Sequence, residues 1–322
     1  MKIKAIILIL ICVINLYGNK TLKVGVLAYG TVNWELDVLK NNNLDKKNGF
    51  NLEVVKLASK NAVAIALQSN TVDLIVTDWI WVNRQRAEGK DFTFFPYSKA
   101  IGALYINNPA IKDVMDLEGK RVGISGGSVD KTWLLFQAYM KYKYEKELKE
   151  LITPVFAAPP ILYKKMLDKT LEASINFWHY NAKLKAKGLT RLIGIEEILA
   201  EFDIKEDIPL VGWTFSNKFA LENGTLIDGF LQASYESKKI LFSSDKEWNR
   251  IKPLMKVKSQ KDFESLKNGY KEGVVKEFTL KQKEASSKVF DILYKQGGKK
   301  LVGKSTSLDM KTFWDFKPNI SW

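Results

Sequence analysis

Apolar residues fall into two kinds of pattern along this chain. Short runs read as strands: Leu22–Leu27 (LKVGVL), Leu52–Leu57 (LEVVKL), Asp73–Thr77 (DLIVT), Ile101–Ile106 (IGALYI), Arg121–Ser125 (RVGIS), Glu172–Phe177 and Leu210–Phe215. Between them lie stretches with helical spacing, near Trp34–Lys40, Asn61–Gln68, Lys131–Lys141 and 161–169. This alternation predicts an α/β fold with mostly parallel sheets flanked by helices and right-handed crossovers. From Gly229 onward the pattern is helical with lysine-rich polar faces, over Phe230–Leu241, Glu247–Met255, Phe263–Val275 and Lys281–Lys295.

Two of the strands, Ile101–Ile106 and Leu210–Phe215, each end one unit and lead into a block of different composition. That predicts two lobes joined by two chain crossings. Lobe one takes residues 21–103 and 215–322, and lobe two takes 104–214. Segments of this kind let lobes close by hinge motion.

The first residues follow a different logic. Met1-Lys2-Ile3-Lys4 is cationic, and Ala5 to Ile14 is an apolar run. Such a start reads as a secretory signal peptide over 1–18, cut near Gly18, and the run is shorter than the roughly 20 residues of a membrane span. The mature chain is expected outside the cytoplasmic membrane, in the periplasm. A lipid anchor on Cys12 is the lesser alternative, because the bulky Ile11 stands before it. If instead the signal peptide is cut near Gly18, Cys12 leaves with it and the mature protein has no cysteine.

Composition narrows the chemistry. There are 50 Lys plus Arg against 36 Asp plus Glu, a net charge of +14. The basic residues are scattered over helices without a nucleic-acid-binding motif, so nucleic acid is not expected as a partner. One cysteine and one histidine (His179) exclude internal disulfides and Cys/His zinc clusters. His179, without a second His or Cys near it, reads as a structural residue. Neither a cofactor nor a stable membrane insertion is expected, and the chain reads as a monomer.

The stretch Ile111-Lys112-Asp113-Val114-Met115-Asp116-Leu117-Glu118-Gly119-Lys120-Arg121-Val122-Gly123-Ile124 is followed by a Gly/Ser turn and a helix. It resembles solute-binding proteins of ABC importers, in the nitrate/sulfonate/taurine and thiamine-precursor (THI5-like) branch. Asn43-Leu44 with Asn48-Gly49-Phe50, and Ala66 to Leu74, resemble further segments of that branch. Asn70 departs from the branch by standing where glycine is usual, and asparagine tolerates the left-handed backbone. The resemblance spans roughly residues 21–240. It implies a two-lobed type II periplasmic-binding fold, a small-molecule ligand and delivery to an ABC permease.

Candidate ligand contacts sit at strand ends, where open α/β sheets bind ligands. In lobe one these are Tyr29, Thr31 and Trp34 after the first strand, and Asp78 and Trp79 after the third. In lobe two they are Ser128, Val129 and Asp130 in a glycine-rich turn at a helix start, and Asn176 and Trp178. Trp213 lies at the return crossing. Aromatic faces stack on planar rings, and Asp78 and Asp130 accept N–H groups. These residues favour a nitrogen-bearing aromatic ring, such as a pyrimidine or other vitamin precursor. An alkyl sulfonate or taurine-like amino-sulfonate is the alternative; it would want a cation, for which Lys131 and Arg84 are candidates. A third possibility is a pyrimidine-synthase-like enzyme, but its Cys-rich motif is missing and no catalytic residue is assigned.

Overall fold

The computed structural model describes residues 20–322, so the expected signal peptide over 1–18 and Cys12 lie outside the described residues. Ten strands form two five-stranded sheets. The first contains β1 (Lys20–Leu27), β2 (Phe50–Leu57), β3 (Leu74–Asp78), β4 (Phe92–Ser98) and β10 (Val211–Ser216), in the order β2-β1-β3-β10-β4. The second contains β5 (Ala103–Ile106), β6 (Arg121–Ile124), β7 (Thr153–Phe156), β8 (Ala173–Asn176) and β9 (Thr190–Gly194), in the order β7-β6-β8-β5-β9.

The two sheets share one plan. β2, β1 and β3 pair in parallel, as do β7, β6 and β8. The fourth position in each sheet holds an antiparallel strand: β10 runs against β3 and β4, and β5 runs against β8 and β9. These are the two strands that the sequence pattern set apart. Each is the first strand laid down after the chain crosses from one sheet to the other. Because β10 belongs to the first sheet, Val211–Thr214 belong with β3 and β4 rather than with 104–214 as expected.

Local sequence explains the turns. Asn70 takes the left-handed backbone (φ 56°) that its family counterpart would meet with glycine. Asp113 and Asp116 form a reciprocal capping box in the family-like stretch before β6.

Packing ties the sheets together. One core cluster joins Trp79, Ile80 and Phe94 of the first unit to Leu104, Ile124 and Phe136 of the second. The Leu280–Val302 helix packs against both the Trp79–Ala87 and the Lys131–Tyr144 helices. The Gln260–Glu272 helix lies along Trp178–Ala186, with Ser265 Oγ donating to the Ala182 carbonyl at 2.6 Å. Lys99 on one crossing pairs with Asp207 on the other.

Candidate functional site

In both sheets the carboxyl ends of the central parallel strands open toward a common seam. β3 ends at Asp78, which caps the Trp79–Ala87 helix by accepting from Trp81 N at 2.9 Å. β6 ends in Ser125-Gly126-Gly127-Ser128-Val129-Asp130, and Asp130 caps the Lys131–Tyr144 helix, accepting from Thr132 N at 3.0 Å and Trp133 N at 3.3 Å. Gly126 has φ +80°, and a Cβ there would fall 2.4 Å from Asp130 Oδ2, so only glycine lets the turn close on this carboxylate.

Charges meet across the seam. Lys131 Nζ donates to Asp78 Oδ2 at 2.8 Å. The Lys60 ammonium, at the start of the helix after β2, stands 5.0 Å from the centre of the Phe177 ring on the other side. Burial raises the pKa of Asp130, against the opposing pull of Lys131, the capping N–H groups and Lys60. The seam therefore holds two carboxylates and two ammonium groups, none of which a metal is needed to explain. Among the described residues no cluster of His, Cys, Asp or Glu is arranged to hold a metal ion.

Beside these charges lies an aromatic cluster. Trp34 from the first unit meets Trp178 from the second edge-on at 6.3 Å, and also packs against Trp248 and Tyr270. Gly269 makes room, because a Cβ there would come within 3.1 Å of the Trp178 ring. Trp178 borders two spaces. On one side is an open groove of about 800 Å³ along the crossings, lined by Lys99, Tyr105, Asn181 and Glu272 among others. On the other is a void of about 10 Å³ walled by Thr31, Tyr97, Ser98, Lys238 and Tyr270.

Below the void is a buried polar network. Glu35 and Lys238 are 0% and 1% exposed, and Lys238 Nζ donates to both Glu35 oxygens at 2.8 Å. Ser234 and Tyr270 also donate to Glu35, at 2.6 and 2.9 Å. Burial, and then the Glu35 carboxylate, hold the Tyr97 and Tyr270 hydroxyls well above the usual tyrosine range. Burial lowers the pKa of Lys238, and Glu35 opposes that shift.

The structure brings some of the expected contacts together and disperses others. Thr31 and Trp178 border the void, Trp34 packs on Trp178, and Lys131 pairs with Asp78 and lies close enough to Asp130 to influence its charge. Tyr29 is exposed at the rim, its ring 4.0 Å from the Lys256 ammonium. Ser128 accepts from Lys300 at 3.3 Å, and Val129 packs on the main core. Three of the expected contacts are engaged inside the protein in this arrangement. Trp79 and Trp213 are fully buried, Trp79 against Phe313 and Trp213 donating to Ser234 at 3.0 Å. Asn176 is also buried, and its amide is used locally by Pro159 and Phe177. A place at a strand end locates the backbone but not the face the side chain takes. Of the candidate cations, Lys131 faces the seam, whereas Arg84 pairs with Glu88 on its own helix.

Sequence reasoning did not find Lys60, Phe177, Tyr97, Tyr270, Lys238 or Glu35. Lys60 and Phe177 each follow the carboxyl end of a central or neighbouring strand, a signal that was available. His179 carries no catalytic geometry: it sits among Phe177, Trp178 and Tyr180, and burial, helped by Lys183, lowers its pKa to about 4.

Comparison with known proteins agrees with this architecture. The periplasmic aliphatic sulphonate binding protein SsuA from Escherichia coli superposes with a TM-score of 0.72 at 17% identity, covering 94% of each chain. The alkanesulfonate-binding protein SsuA from Xanthomonas axonopodis pv. citri gives 0.66 at 18% identity, covering 91% of this chain and 98% of its own. The periplasmic nitrate-binding protein NrtA from Synechocystis PCC 6803 gives 0.54 at 12% identity, over 78% of this chain and 70% of its own. These likenesses establish the two-lobed periplasmic-binding fold. No curated protein matches in sequence. The NMT1/THI5-like family profile matches residues 40–247, and the chain belongs to that family.

Proposed function

We propose that this protein is the extracytoplasmic solute-binding component of an ABC importer, catching a small molecule between its two lobes and presenting it to a permease. The observation that carries the reading is the seam itself. Side chains that bind small molecules in other settings, an aspartate, two lysines and a tryptophan, project from both sheets and meet only across it. A guest held by both walls favours the closed arrangement because contacts from the second wall exist only there. The family and the sulfonate- and nitrate-binding neighbours support a transport role outside the membrane. Among the described residues no helix is long and apolar enough to cross a membrane.

For the guest, we favour a small nitrogen-bearing ring. Its N–H would replace Lys131 at Asp78, its acceptor atom would take the released Lys131 ammonium, and Trp178 would border its face. A second reading, an alkyl sulfonate or amino-sulfonate, is supported by the two seam ammonium groups, Lys60 and Lys131, and by the two sulfonate-binding neighbours. Titration with cytosine, ethanesulfonate and taurine, followed by tryptophan fluorescence, separates them. A saturable change with cytosine alone supports the ring, and a change with either sulfonate alone supports the second reading. A flat response to all three counts against the seam as the binding place.

A further inference from the structure

We infer that the void behind Trp178 is the inner end of the ligand site and that it receives an uncharged hydrogen-bonding group of the guest, a carbonyl oxygen, hydroxyl or ring nitrogen, through the Tyr97 hydroxyl. This rests on the small-molecule reading above and deepens it.

The deep polar groups of the void other than Tyr97 are committed, while Thr31 and Trp178 border its outer side. The three N–H bonds of Lys238 go to Glu35 Oε1, Glu35 Oε2 and Ser234 Oγ, at 2.8, 2.8 and 2.9 Å. Ser98 Oγ donates to the Gly273 carbonyl at 3.3 Å and accepts from Ala100 N at 3.1 Å. Tyr270 gives its proton to Glu35 and keeps only an acceptor oxygen. Tyr97 is 4% exposed, and its hydroxyl, although a neighbour of the Tyr270 hydroxyl, forms no hydrogen bond of ordinary length and angle. A buried hydroxyl left in this state costs about 1–3 kcal/mol, so a partner arriving from outside the protein is favoured.

Charge balance sets the class of that partner. Glu35 already matches Lys238, and no free N–H of a cation points into the void. An anion entering here would have no compensating charge of its own and would face the Glu35 carboxylate behind Tyr270. A cation would sit beside the Lys238 ammonium. A neutral acceptor meets Tyr97, and a neutral group that also donates meets the Tyr270 oxygen.

The void's walls explain access. Thr31, Tyr97, Ser98, Lys238, Tyr270 and Val274 come from the first lobe and its C-terminal helices, whereas Trp178 comes from the second. At about 10 Å³ the void has room for one water-sized atom, which suits the tip of a guest and not a whole molecule. Moving Trp178 away with its lobe would uncover Tyr97 from one side.

The test is titration of the full mature chain and its Tyr97→Phe and Thr31→Val variants with cytosine, a neutral ring, and ethanesulfonate, an anion, with apo melting temperature recorded for each. Cytosine affinity falling by up to about tenfold in Tyr97→Phe, at an unchanged or higher melting temperature, supports the inference. A Tyr97→Phe variant that melts early is replaced in the comparison by Thr31→Val, at a half-buried residue that borders the same void and for which a loss of at least threefold is expected. Cytosine binding wild type and both variants alike overturns the inference and leaves the solute-binding reading standing. Ethanesulfonate weakened by Tyr97→Phe overturns the neutral class. Wild type binding neither probe contradicts the solute reading and takes the inference with it.

Discussion

Asp78 and Lys131 stand at the starts of helices on opposite sheets, and their side chains meet at 2.8 Å across the seam. The arrangement is uneven. Asp78 suits the positive end of its helix, whereas Lys131 is a cation at the positive end of another and relies on Asp78 and Asp130 for compensation. The pair is partly exposed, so its worth is at most about 1 kcal/mol, enough to bias closure without locking it. Asp78→Asn and Lys131→Gln should therefore each shift the unliganded protein toward a larger radius of gyration in small-angle X-ray scattering. Their unfolding free energies should stay within about 1 kcal/mol of wild type. Unchanged scattering would show that the pair does not hold the lobes together.

The Glu35–Lys238 pair is of the opposite kind. Both groups are buried and fully bonded, so removing one leaves the other uncompensated. Glu35→Gln and Lys238→Met should each cost about 3–5 kcal/mol in denaturant unfolding. The double variant should lose much less than the sum. Strict additivity would mean the two groups do not act as a pair.

His179 gives a pH signature. Its folded pKa near 4 lies below the ordinary 6.5, because burial disfavours the charged ring. The unfolded chain therefore binds a proton that the folded chain refuses, and stability falls as pH drops from 6.5 toward 4. The loss is on the order of 2–3 kcal/mol at the low end, and none arises from this residue above pH 7. Urea unfolding between pH 4 and 7 should show that slope reduced in His179→Asn. A variant as pH-sensitive as wild type would assign the acid effect elsewhere.

Close packing at Trp178 is testable without any guest. Gly269→Val adds branched methyl groups where even a Cβ would lie 3.1 Å from the indole. Overpacking of this kind costs about 1–3 kcal/mol and should push Trp178 outward. The expected readout is a red shift of tryptophan emission with a lower melting temperature. An unchanged spectrum and melting point would mean that the helix and the ring yield freely.

The element pattern was largely readable from sequence, and the omissions share a cause. The three strands that periodicity did not reveal are β4, β7 and β9, and all three are sheet edges. β4 carries Pro96 and β7 carries Pro154, residues that edges tolerate and that argue against a strand when read alone. The strands Ile101–Ile106 and Leu210–Phe215 stood out because composition changes at a crossing between sheets. The site was less readable. Asp78, Asp130, Thr31, Trp34 and Trp178 carry local cues, a cap or a strand end. The Glu35–Lys238–Tyr270 network joins positions 35, 234, 238 and 270, and no local pattern announces a contact over such separations.

Native mass spectrometry of the protein, purified without unfolding from cells that make it, tests the central claim most directly. The expected spectrum shows one small molecule bound per chain, released on denaturation with its mass the same as in the medium or extract that supplied it. A chain that stays empty after exposure to such extracts, or one that returns the molecule with an altered mass, would contradict a guest caught and passed on unchanged.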